Sequence, residues 1–320
     1  MSRCLVTGCA GFIGSNLTDR LLSQGHQVVG LDNFSTGRRE FLANAFDAPG
    51  FTLVEGDMLD PATLERGFKG EGVDLVFHLA ANAVVSQGTL HPRRDLEQNT
   101  IVTYNVLDAM RTHGSRRIAF SSTGSIYGEP EVFPTPEDAP FPVQTSFYGA
   151  SKLACEGLIA AFCEGFGFQS WIYRFVSVLG ERYTHGHVID FYRKLRADPA
   201  KIEVLGDGNQ TKSYMYVGDC IDGMLLGIAK ASEPVNMLNL GTDATIQVRD
   251  SLALILGRLG IAPEITYAGG SRGWVGDSPF IHLDCSRIRG HGWQPKLSID
   301  DGILRTLDWL VGNQWVFGER

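Results

Sequence analysis

The chain has 320 residues, which is enough for one large domain or for two unequal lobes that share an interface. Its hydrophobic content of 43% and charged content of 20% are ordinary for a soluble globular protein. The net charge of -8 at pH 7 argues against a general nucleic-acid binder and against a membrane-surface binder.

The first half of the chain alternates short β-rich runs with helical segments. The predicted strands are RCLVTG, QVVGLD, FTLVEGD, DLVFHLAA and RRIAFSS, and the clearest predicted helices are FIGSNLTDRLLSQG and DLEQNTIVTYNVLDAMRTHG. Strands that alternate with helices indicate a parallel sheet covered on both faces. The strands are nearly all apolar, as burial on both faces requires.

The second half begins with the same alternation of strands and helices, which then stops. A long helix is predicted in SFYGASKLACEGLIAAFCEGFG and a strand in QSWIYRFVSVLG, whereas loops and glycines dominate after about residue 176. VNMLNLG is typical of one more sheet strand, and a closing helix is expected from about Ser298. We therefore predict an α/β fold: a Rossmann-type doubly wound parallel sheet in residues 1–175, with a return around 213–241, and a smaller, partly interleaved C-terminal lobe in residues 176–320.

The six cysteines and the first residues indicate the compartment. The cysteines are scattered without a CxxC pair, which favours reduced thiols in a cytoplasmic protein over a disulfide framework or a zinc site. MSRCLVTG is strand-like and unlike a signal or transit peptide. No apolar run approaches the roughly 18 residues of a transmembrane helix. We expect a cytoplasmic protein that does not act at a membrane.

A glycine-rich turn joins the first strand to the first helix. Gly8, Gly11 and Gly14 in VTGCAGFIGSNL would allow a tight turn, a close approach of backbone N–H groups to a pyrophosphate, and close helix–strand packing. The second strand ends in Asp32, whose carboxylate would accept hydrogen bonds from an adenosine ribose diol and repel a 2′-phosphate. The strand–turn–helix context favours a cofactor site over a purely structural turn, and it predicts NAD rather than NADP.

Two later features fit a cofactor less specifically. Asp57, after the third strand, is placed either to bond the adenine amino group or to act as a helix N-cap or loop carboxylate, and its spacing does not decide between them. The small residues of HLAANAVV suit a closely passing cofactor and suit helix–sheet packing equally well.

SFYGASK places Tyr148 four residues before Lys152 at a helix start. Residues at this spacing share one helix face for any reason, so the segment alone fits a core tyrosine beside a solvated lysine, or an acid/base beside the cation that tunes it. The rest of the chain has to distinguish the two.

The ordered motifs TGCAGFIGSNL, LDNFSTG, EGDMLD, HLAA, FSSTGSIYGE, PEDAP, YGASK and GDGNQTKSYMYVGDC, with a weaker match through RGWVGD and LDCSRI, resemble the extended short-chain dehydrogenase/reductase family. Within it they resemble the nucleotide-sugar epimerases and dehydratases of the UDP-glucose 4-epimerase type. The resemblance implies that Tyr148 is the acid/base and that Lys152 holds the nicotinamide ribose. It also implies that Thr123, four residues before Tyr127, bonds the reacting sugar oxygen, although a threonine after a strand can simply close a turn.

This chemistry agrees with the residue types. A phenol with an unperturbed pKa of about 10 is a poor base at neutral pH, and a nearby ammonium and the positive nicotinamide ring favour its ionised form. The other cofactor contacts that the resemblance implies are Phe12, Ile13, Asn33, Met58, Leu79, Ala80, Ala81, Asn99 and Ser121.

The residues that follow Thr123 distinguish members of the family. Sugar 4,6-dehydratases carry Asp and Glu there, because elimination of water needs a second acid and a base, whereas this chain has Gly124 and Ser125. The difference favours an NAD-dependent 4-epimerase of a UDP-hexose-type substrate, which oxidises C4 and returns the hydride to the other face. The alternatives are an NAD-dependent reductase or dehydrogenase, or another modifying enzyme of a nucleotide sugar, such as a uronate epimerase, a decarboxylase or a dehydratase. A non-catalytic relative would be expected to lack Tyr148, Lys152 or Thr123.

The substrate side departs from the family pattern. Ser177 replaces an asparagine that touches the sugar, Leu179 replaces a tyrosine, and Lys212 replaces an arginine that grips a phosphate, so the charge is kept without a bidentate fork. Arg272 and Asp277 match the diphosphate and ribose contacts only approximately. The expected substrate contacts are Ser125, Ser177, His187, Val188, Val204, Lys212, Tyr214, Arg272 and Asp277.

Two further expectations concern metal binding and assembly. His185 and His187 have no carboxylate or cysteine partner nearby in sequence, which favours a sugar-pocket or loop position over a metal site. The family commonly dimerises through two helices from each subunit, here LEQNTIVTYNVLDAM and SKLACEGLIAAFCEGFG, so we expect a homodimer.

Overall fold

A seven-stranded parallel sheet forms the centre of the protein. The computed structural model describes residues 1–70, 72–85, 88–140, 143–274 and 276–318. The strands are β1 (Arg3–Thr7), β2 (Gln27–Asp32), β3 (Phe51–Glu55), β4 (Leu75–His78), β5 (Arg117–Thr123), β6 (Gln169–Phe175), β7 (Ser177–Leu179), β8 (Lys201–Val204), β9 (Thr211–Lys212), β10 (Tyr214–Tyr216), β11 (Val235–Leu240), β12 (Ile246–Gln247), β13 (Glu264–Tyr267) and β14 (Phe280–Ile281). The large sheet has the order β11-β6-β5-β4-β1-β2-β3. All its neighbouring strands are parallel.

The sheet order confirms the predicted Rossmann-type α/β fold. The strand order reverses between β1 and β4, and ligands of open α/β sheets bind in the crevice at the carboxyl ends of such a pair. The strand predicted in VNMLNLG is β11, which lies beside β6 at the edge of the same sheet. The other strands form three small sheets, which pair β7 with β10, β9 with β12 and β14, and β8 with β13.

Helices cover both faces of the large sheet, and apolar side chains from the sheet and the helices form two buried clusters. The helices are α1 (Phe12–Ser23), α2 (Ala43–Phe46), α3 (Pro61–Phe68), α4 (Pro92–Asp95), α5 (Val102–Thr112), α6 (Phe147–Phe166), α7 (His187–Ala197), α8 (Val217–Lys230), α9 (Val248–Leu259), α10 (Ser286–Gly290) and α11 (Ile299–Gly312). Among the described residues, none of these helices has the length and apolarity needed to cross a bilayer.

The helix predicted across DLEQNTIVTYNVLDAMRTHG is not a regular α-helix. It consists of α4, a π-helical stretch at Leu96–Ile101, and α5. The π-helical stretch carries Asn99, which is buried and bonds outside its own helix to Asn82 and Ser151. Such local widening is frequent at functional sites, and hydrophobic periodicity does not reveal it.

Local capping explains where α6 begins and ends. The Ser146 side chain accepts a hydrogen bond of 3.0 Å from the Gly149 N–H, which satisfies an otherwise free donor of the first turn. The helix ends at Gly167, whose φ of 66° is readily accessible only to glycine. These caps place Tyr148 and Lys152 in the first two turns.

The glycine turn after β1 packs backbone against backbone. Gly8 has a φ of 71°, and a Cβ there would lie 2.8 Å from the Ala80 nitrogen. A Cβ on Gly14 would lie 2.0 Å from the Gly8 carbonyl oxygen, whereas one on Gly11 would meet only that oxygen, at 3.2 Å. The fold therefore requires glycine at positions 8 and 14 and leaves space at position 11.

A buried histidine joins two strands of the large sheet to a helix that packs on it. The His78 Nδ1 atom lies 2.7 Å from Thr7 Oγ1 and its Nε2 atom lies 2.9 Å from Thr103 Oγ1. Burial lowers the pKa of His78 to about 3, and the nearby Lys152 charge acts in the same direction. The imidazole is therefore neutral at neutral pH and fastens β4 to β1 and α5.

Alanine substitutions at Gly14 and Gly11 should reduce the stability of the protein by different amounts. Gly14→Ala should lower the free energy of unfolding by about 2 kcal/mol or more, because its methyl group overlaps the Gly8 carbonyl. Gly11→Ala should cost about 1 kcal/mol or less, the usual scale for an alanine at a helix N-cap. Urea denaturation of both variants measures the difference, and equal losses would contradict this geometry.

Acidification should destabilise the protein through His78. An unfolded histidine has a pKa of about 6.5, so this contribution to stability is complete above that pH and is lost as the pH falls towards the folded value. The expected slope is about 1.4 kcal/mol per pH unit below about pH 6. Urea denaturation at several pH values should show a flatter profile for His78→Gln than for wild type, whereas the exposed control His91→Gln should keep the wild-type slope.

Candidate active site

The carboxyl ends of β1 and β4 form a crevice that suits a dinucleotide. The α1 N-cap is Gly11, which has no side-chain cap, and the first turn of α1 contains no acidic residue, so its N–H groups and positive dipole end are not neutralised locally. The half-buried predicted contacts along this edge are Gly11, Ile13, Asn33, Asp57, Leu79, Ala80 and Ala81, while Phe12, Met58 and Ser121 are less than a tenth exposed. The space at Gly11 and this uncapped helix end fit the pyrophosphate of NAD.

Asp32 ends β2 at the same edge. One carboxylate oxygen accepts from the Ala10 N–H at 2.9 Å and the other from the Phe34 N–H at 2.8 Å. Burial raises the pKa of Asp32, and its backbone hydrogen bonds oppose that rise. Each oxygen retains acceptor capacity, so the carboxylate remains suited to a ribose diol.

Asp57 is tied to the loop after β2 rather than to a helix end. Its Oδ2 atom accepts from Asn33 Nδ2 at 3.0 Å and its Oδ1 atom from the Leu59 N–H at 2.9 Å. The N-cap of α3 is Asp60, so the alternative of Asp57 as a helix N-cap is wrong. Asp57 is a loop carboxylate, and this position is compatible with a hydrogen bond from the adenine amino group.

The structure brings Thr123, Tyr148 and Lys152 together where β5 meets α6. The Thr123 hydroxyl lies close enough to the Tyr148 phenol to influence its pKa. Lys152 donates from Nζ to the Ser121 carbonyl at 2.7 Å, and its ammonium lies 4.6 Å from the centroid of the Phe120 ring. Tyr148 is half-buried, and Lys152 is only 2% exposed. Lys152 is therefore not a solvated lysine.

The surroundings shift the pKa values of both groups. Burial lowers the pKa of Lys152 to about 8, against the opposing effects of Cys155 and Glu156. Burial also raises the pKa of the Tyr148 phenol, while the neighbouring Thr123 hydroxyl acts to lower it. A positive charge from a bound ligand would favour the phenolate further, because the phenol lies in a poorly solvated position.

A buried polar network connects the loop after β4 to the turn of α6 that holds Tyr148. The Asn82 N–H donates to Asn99 Oδ1 at 2.8 Å, and Asn99 Nδ2 donates to Ser151 Oγ at 2.8 Å. The Ser151 hydroxyl in turn donates to the Tyr148 carbonyl at 2.8 Å. Asp95 completes the network by accepting from Asn82 Nδ2 at 2.8 Å.

Most predicted substrate residues lie around the small sheets. Ser125 accepts a hydrogen bond of 3.2 Å from Thr123. Ser177 and Tyr214 are register partners in the parallel pair of β7 and β10. The His187 ring lies 4.7 Å from the Tyr214 ring, and its Nε2 atom lies 2.6 Å from Ser251 Oγ, which ties α7 to α9.

Two predicted substrate contacts need correction. Val188 and Val204 are completely buried in the main hydrophobic cluster, so their side chains do not line an accessible site. Both lie on the inward face of an amphipathic element, Val188 in α7 and Val204 at the end of β8. Apolar residues on such faces pack in the core, and the motif match did not separate them from ligand contacts.

The cationic residues expected to bind phosphate are paired with acids. Lys212 Nζ lies 2.5 Å from Asp277 Oδ1, and it also lies 5.0 Å from the Trp274 ring centroid. Arg272 forms an ion pair with Glu129 and donates to the Asp277 carbonyl at 3.1 Å. The motif RGWVGD therefore does approach Lys212, although its Val275 lies outside the described residues. A phosphate here would have to compete with carboxylates.

Several residues of the site were not predicted. They are His78, Asn82, Asp95, Ser151, Glu156 and Arg174. Glu156 alone carried a sequence signal, because it lies one further helical turn beyond Lys152 in an otherwise apolar stretch. Among the described residues, no three or more histidine, cysteine or acidic side chains are grouped as metal ligands.

Known proteins resemble this chain over nearly its whole length. UDP-glucose 4-epimerase of Mycolicibacterium smegmatis is 34% identical over 318 residues, which cover 96% of this chain and 98% of that protein. UDP-glucuronic acid decarboxylase 1 of Xenopus tropicalis is 29% identical over 317 residues, covering 96% of this chain and 72% of that protein. The crystal structure of Thermus thermophilus UDP-glucose 4-epimerase in complex with NAD superposes with a TM-score of 0.87 and 33% identity, over 97% of this chain and 99% of that one.

The profile of the NAD dependent epimerase/dehydratase family matches residues 4–241. This stretch includes the glycine turn, the large sheet, and the Thr123, Tyr148 and Lys152 cluster. The resemblance drawn from the motifs is thereby confirmed, and the chain belongs to the NAD-dependent epimerase/dehydratase family of extended short-chain dehydrogenases/reductases.

Proposed function

We propose that the protein is an NAD-dependent 4-epimerase of a UDP-linked hexose or a closely related UDP-sugar. The cluster of Thr123, Tyr148 and Lys152 beside the glycine turn carries this proposal, because it is an acid/base with a relay and a cation at the cofactor crevice. Residues 1–175 with the return at 213–241 would hold NAD, and the rest of residues 176–320 would hold the nucleotide sugar.

Each member of the cluster has a distinct role in the proposed reaction. Tyr148 removes the proton from the C4 hydroxyl and later returns it, with Thr123 bonding the same oxygen. The Lys152 ammonium, fixed on the Ser121 carbonyl, holds the nicotinamide ribose and favours the ionised phenol. When bound, NAD would supply a reversible acceptor for the hydride on C4, the carbon that bears the deprotonated oxygen.

The surroundings of Gly124 and Ser125 support epimerisation over dehydration. A Cβ at position 124 would make ordinary van der Waals contacts with the Phe175 carbonyl and the Leu283 methyl groups at 3.4–3.5 Å, and the glycine that occupies this position supplies no carboxylate. Ser125 is engaged by Thr123 and offers a hydroxyl instead of an acid. Redox at one carbon needs neither of the missing carboxylates.

The nucleotide side supports a diphosphate-linked substrate less specifically. Lys212, Tyr214 and Asp277 lie together and supply a cation, an aromatic ring and a carboxylate. In the proposed complex the ribose hydroxyls would donate hydrogen bonds to the Asp277 carboxylate, and a phosphate would draw Lys212 away from that carboxylate. The replacement of arginine by lysine leaves one point charge there.

A nucleotide-sugar panel tests this function. Purified enzyme incubated with UDP-glucose, UDP-galactose, their uronates and their N-acetylated amino sugars, without added NAD, should interconvert one 4-epimeric pair as observed by NMR. Tyr148→Phe should reduce turnover by about 10² or more while NAD stays bound, since it removes a positioned acid/base. Consumption of added NAD in proportion to product would indicate a dehydrogenase, and release of CO₂ from a uronate would indicate a decarboxylase.

We also propose that the protein is a cytoplasmic homodimer. All six cysteines are buried and unpaired, as expected in a reducing compartment. Large apolar side chains that are 41–52% exposed lie on the π-helical stretch, α5 and α6, namely Leu96, Ile101, Tyr104, Phe147 and Phe166. A patch of this kind on adjacent segments suits a two-fold interface between identical subunits.

Tyr104→Glu combined with Phe166→Glu should convert the proposed dimer to a monomer, because four carboxylates would be buried per interface without partners. Light scattering after gel filtration at micromolar protein measures the mass. Val132→Glu, which changes an exposed apolar residue of another segment, should leave the dimer intact. A monomeric wild-type protein would contradict the proposal.

A further inference from the structure

One face of α6 carries three polar residues at successive turns. Tyr148, Lys152 and Glu156 are spaced four apart, so they point in one direction, towards the end of β5. Each meets a different residue there: Tyr148 lies beside Thr123, Lys152 donates to the Ser121 carbonyl at 2.7 Å, and Glu156 Oε1 accepts from the Ser122 hydroxyl at 2.5 Å. Glu156 is the only one of the three to which the proposed reaction gives no role.

Glu156 is held by a buried two-pronged ion pair. Arg174 on β6 donates from Nε to Oε1 at 3.1 Å and from Nη2 to Oε2 at 2.8 Å. The Glu156 side chain is 2% exposed and that of Arg174 is 0% exposed. Arg174 is fixed in turn, because its Nη1 donates to the Tyr127 hydroxyl at 2.6 Å and to the Glu137 carbonyl at 2.7 Å.

A buried ion pair is a poor means of stabilising a fold, since well-packed apolar residues often do so equally well. Its value lies in geometry: a fork-to-fork pair fixes both the position and the orientation of its partners. Here the ion pair fixes the third turn of α6, which lies one turn after Lys152 and two turns after Tyr148. A slide or rotation of α6 on β5 would break this pair along with the contacts of Tyr148 and Lys152.

We propose that Glu156, anchored by Arg174 and Ser122, is a positioning residue for the proposed epimerisation. It holds α6 in the register on β5 that aligns Tyr148 with Thr123 and Lys152 with Ser121, and it supplies the negative charge that faces the Lys152 ammonium. The inference rests on the proposed function for its kinetic consequences and on the α6 contacts alone for its structural ones.

The Glu156 charge shifts the pKa of Lys152 in a known direction. The ionisable and charged groups around Lys152 and Glu156 are Tyr148 and Cys155 on α6, Arg174 on β6, His78 on β4, Asp95 on α4, and beyond Arg174 the Tyr127 and Glu137 side chains. Burial lowers the pKa of Lys152 to about 8, and the Glu156 charge opposes that shift. Loss of the Glu156 charge therefore lowers the pKa of Lys152, so less ammonium remains at pH 8 to favour the Tyr148 phenolate.

Glu156→Gln tests this, because it keeps the size and the acceptor for Ser122 but removes the charge. In the NAD-loaded enzyme, the alkaline limb of the kcat profile should move to lower pH by about one unit, and kcat at pH 8 should fall about fivefold. KM should change less than about twofold, since the Glu156 side chain faces the sheet and not the sugar.

A second readout needs no substrate. Ultraviolet absorbance of tyrosinate, taken as the difference between each protein and the same protein carrying Tyr148→Phe, reports the ionisation of Tyr148 in the NAD-loaded enzyme. Tyr148 should ionise at higher pH in Glu156→Gln than in wild type. The matched control is Glu137→Gln, a buried carboxylate of the same network that bonds the Asn239 N–H at 2.8 Å and lies away from α6. It should lower Tm without moving the Tyr148 titration.

If Glu156→Gln does not fold, the double variant Glu156→Gln with Arg174→Met removes both charges and should restore folding. Because the anchor of α6 is gone, its kcat should stay below that of wild type at every pH, and a wild-type kcat would overturn the proposal. An unshifted Tyr148 titration and an unshifted alkaline limb, together with a Tm loss like that of Glu137→Gln, would overturn the proposal and leave Glu156 a structural residue. If wild type converts no nucleotide sugar, the proposed function fails, while the Tyr148 titration still decides the role of Glu156.

Discussion

The parallel arrangement of the large sheet is the constraint on which the site depends. Because β1, β4 and β5 run in one direction, their carboxyl ends meet at one edge and deliver the glycine turn, Ala80 and Thr123 to the same crevice. The contact is close enough at Gly8 that a single added carbon would touch the Ala80 backbone. Position in the sheet, rather than proximity in sequence, therefore assembles the cofactor site.

Burial then determines the chemistry of the groups at this edge. It lowers the pKa values of His78 and Lys152 and raises that of Tyr148. Burial therefore disfavours the charged form of each group, and a charged form needs a polar partner close to it. Lys152 has the Ser121 carbonyl and the Phe120 ring, and Tyr148 has Thr123. A site of this kind suits transfer of one proton and one hydride at a single carbon, and the positions after Thr123 add no further acid.

The sequence predicted local motifs better than their long-range partners. The glycine turn, the strand ending in Asp32 and the Tyr148–Lys152 spacing have local signatures, and the predicted sheet is confirmed. The π-helical stretch at Asn99 and the pairing of Glu156 with Arg174 depend on contacts between distant segments, which periodicity does not encode. Val188 and Val204 were expected to contact the substrate because of their positions beside the motifs, whereas the apolar faces on which they lie indicated the core.

The central claim is that one carbon is oxidised and reduced without exchange with solvent. A UDP-hexose carrying deuterium at C4 should give the 4-epimer with that deuterium retained at C4, and unlabelled substrate in D₂O should give the 4-epimer with no deuterium on carbon. NMR and mass spectrometry of the product measure both. Deuterium at C5 or a product mass lower by one water would contradict the account, because each requires an acid or base that the Gly124–Ser125 positions do not supply. Washout of the C4 label would also contradict it, because the hydride would then not have returned from the cofactor that accepted it.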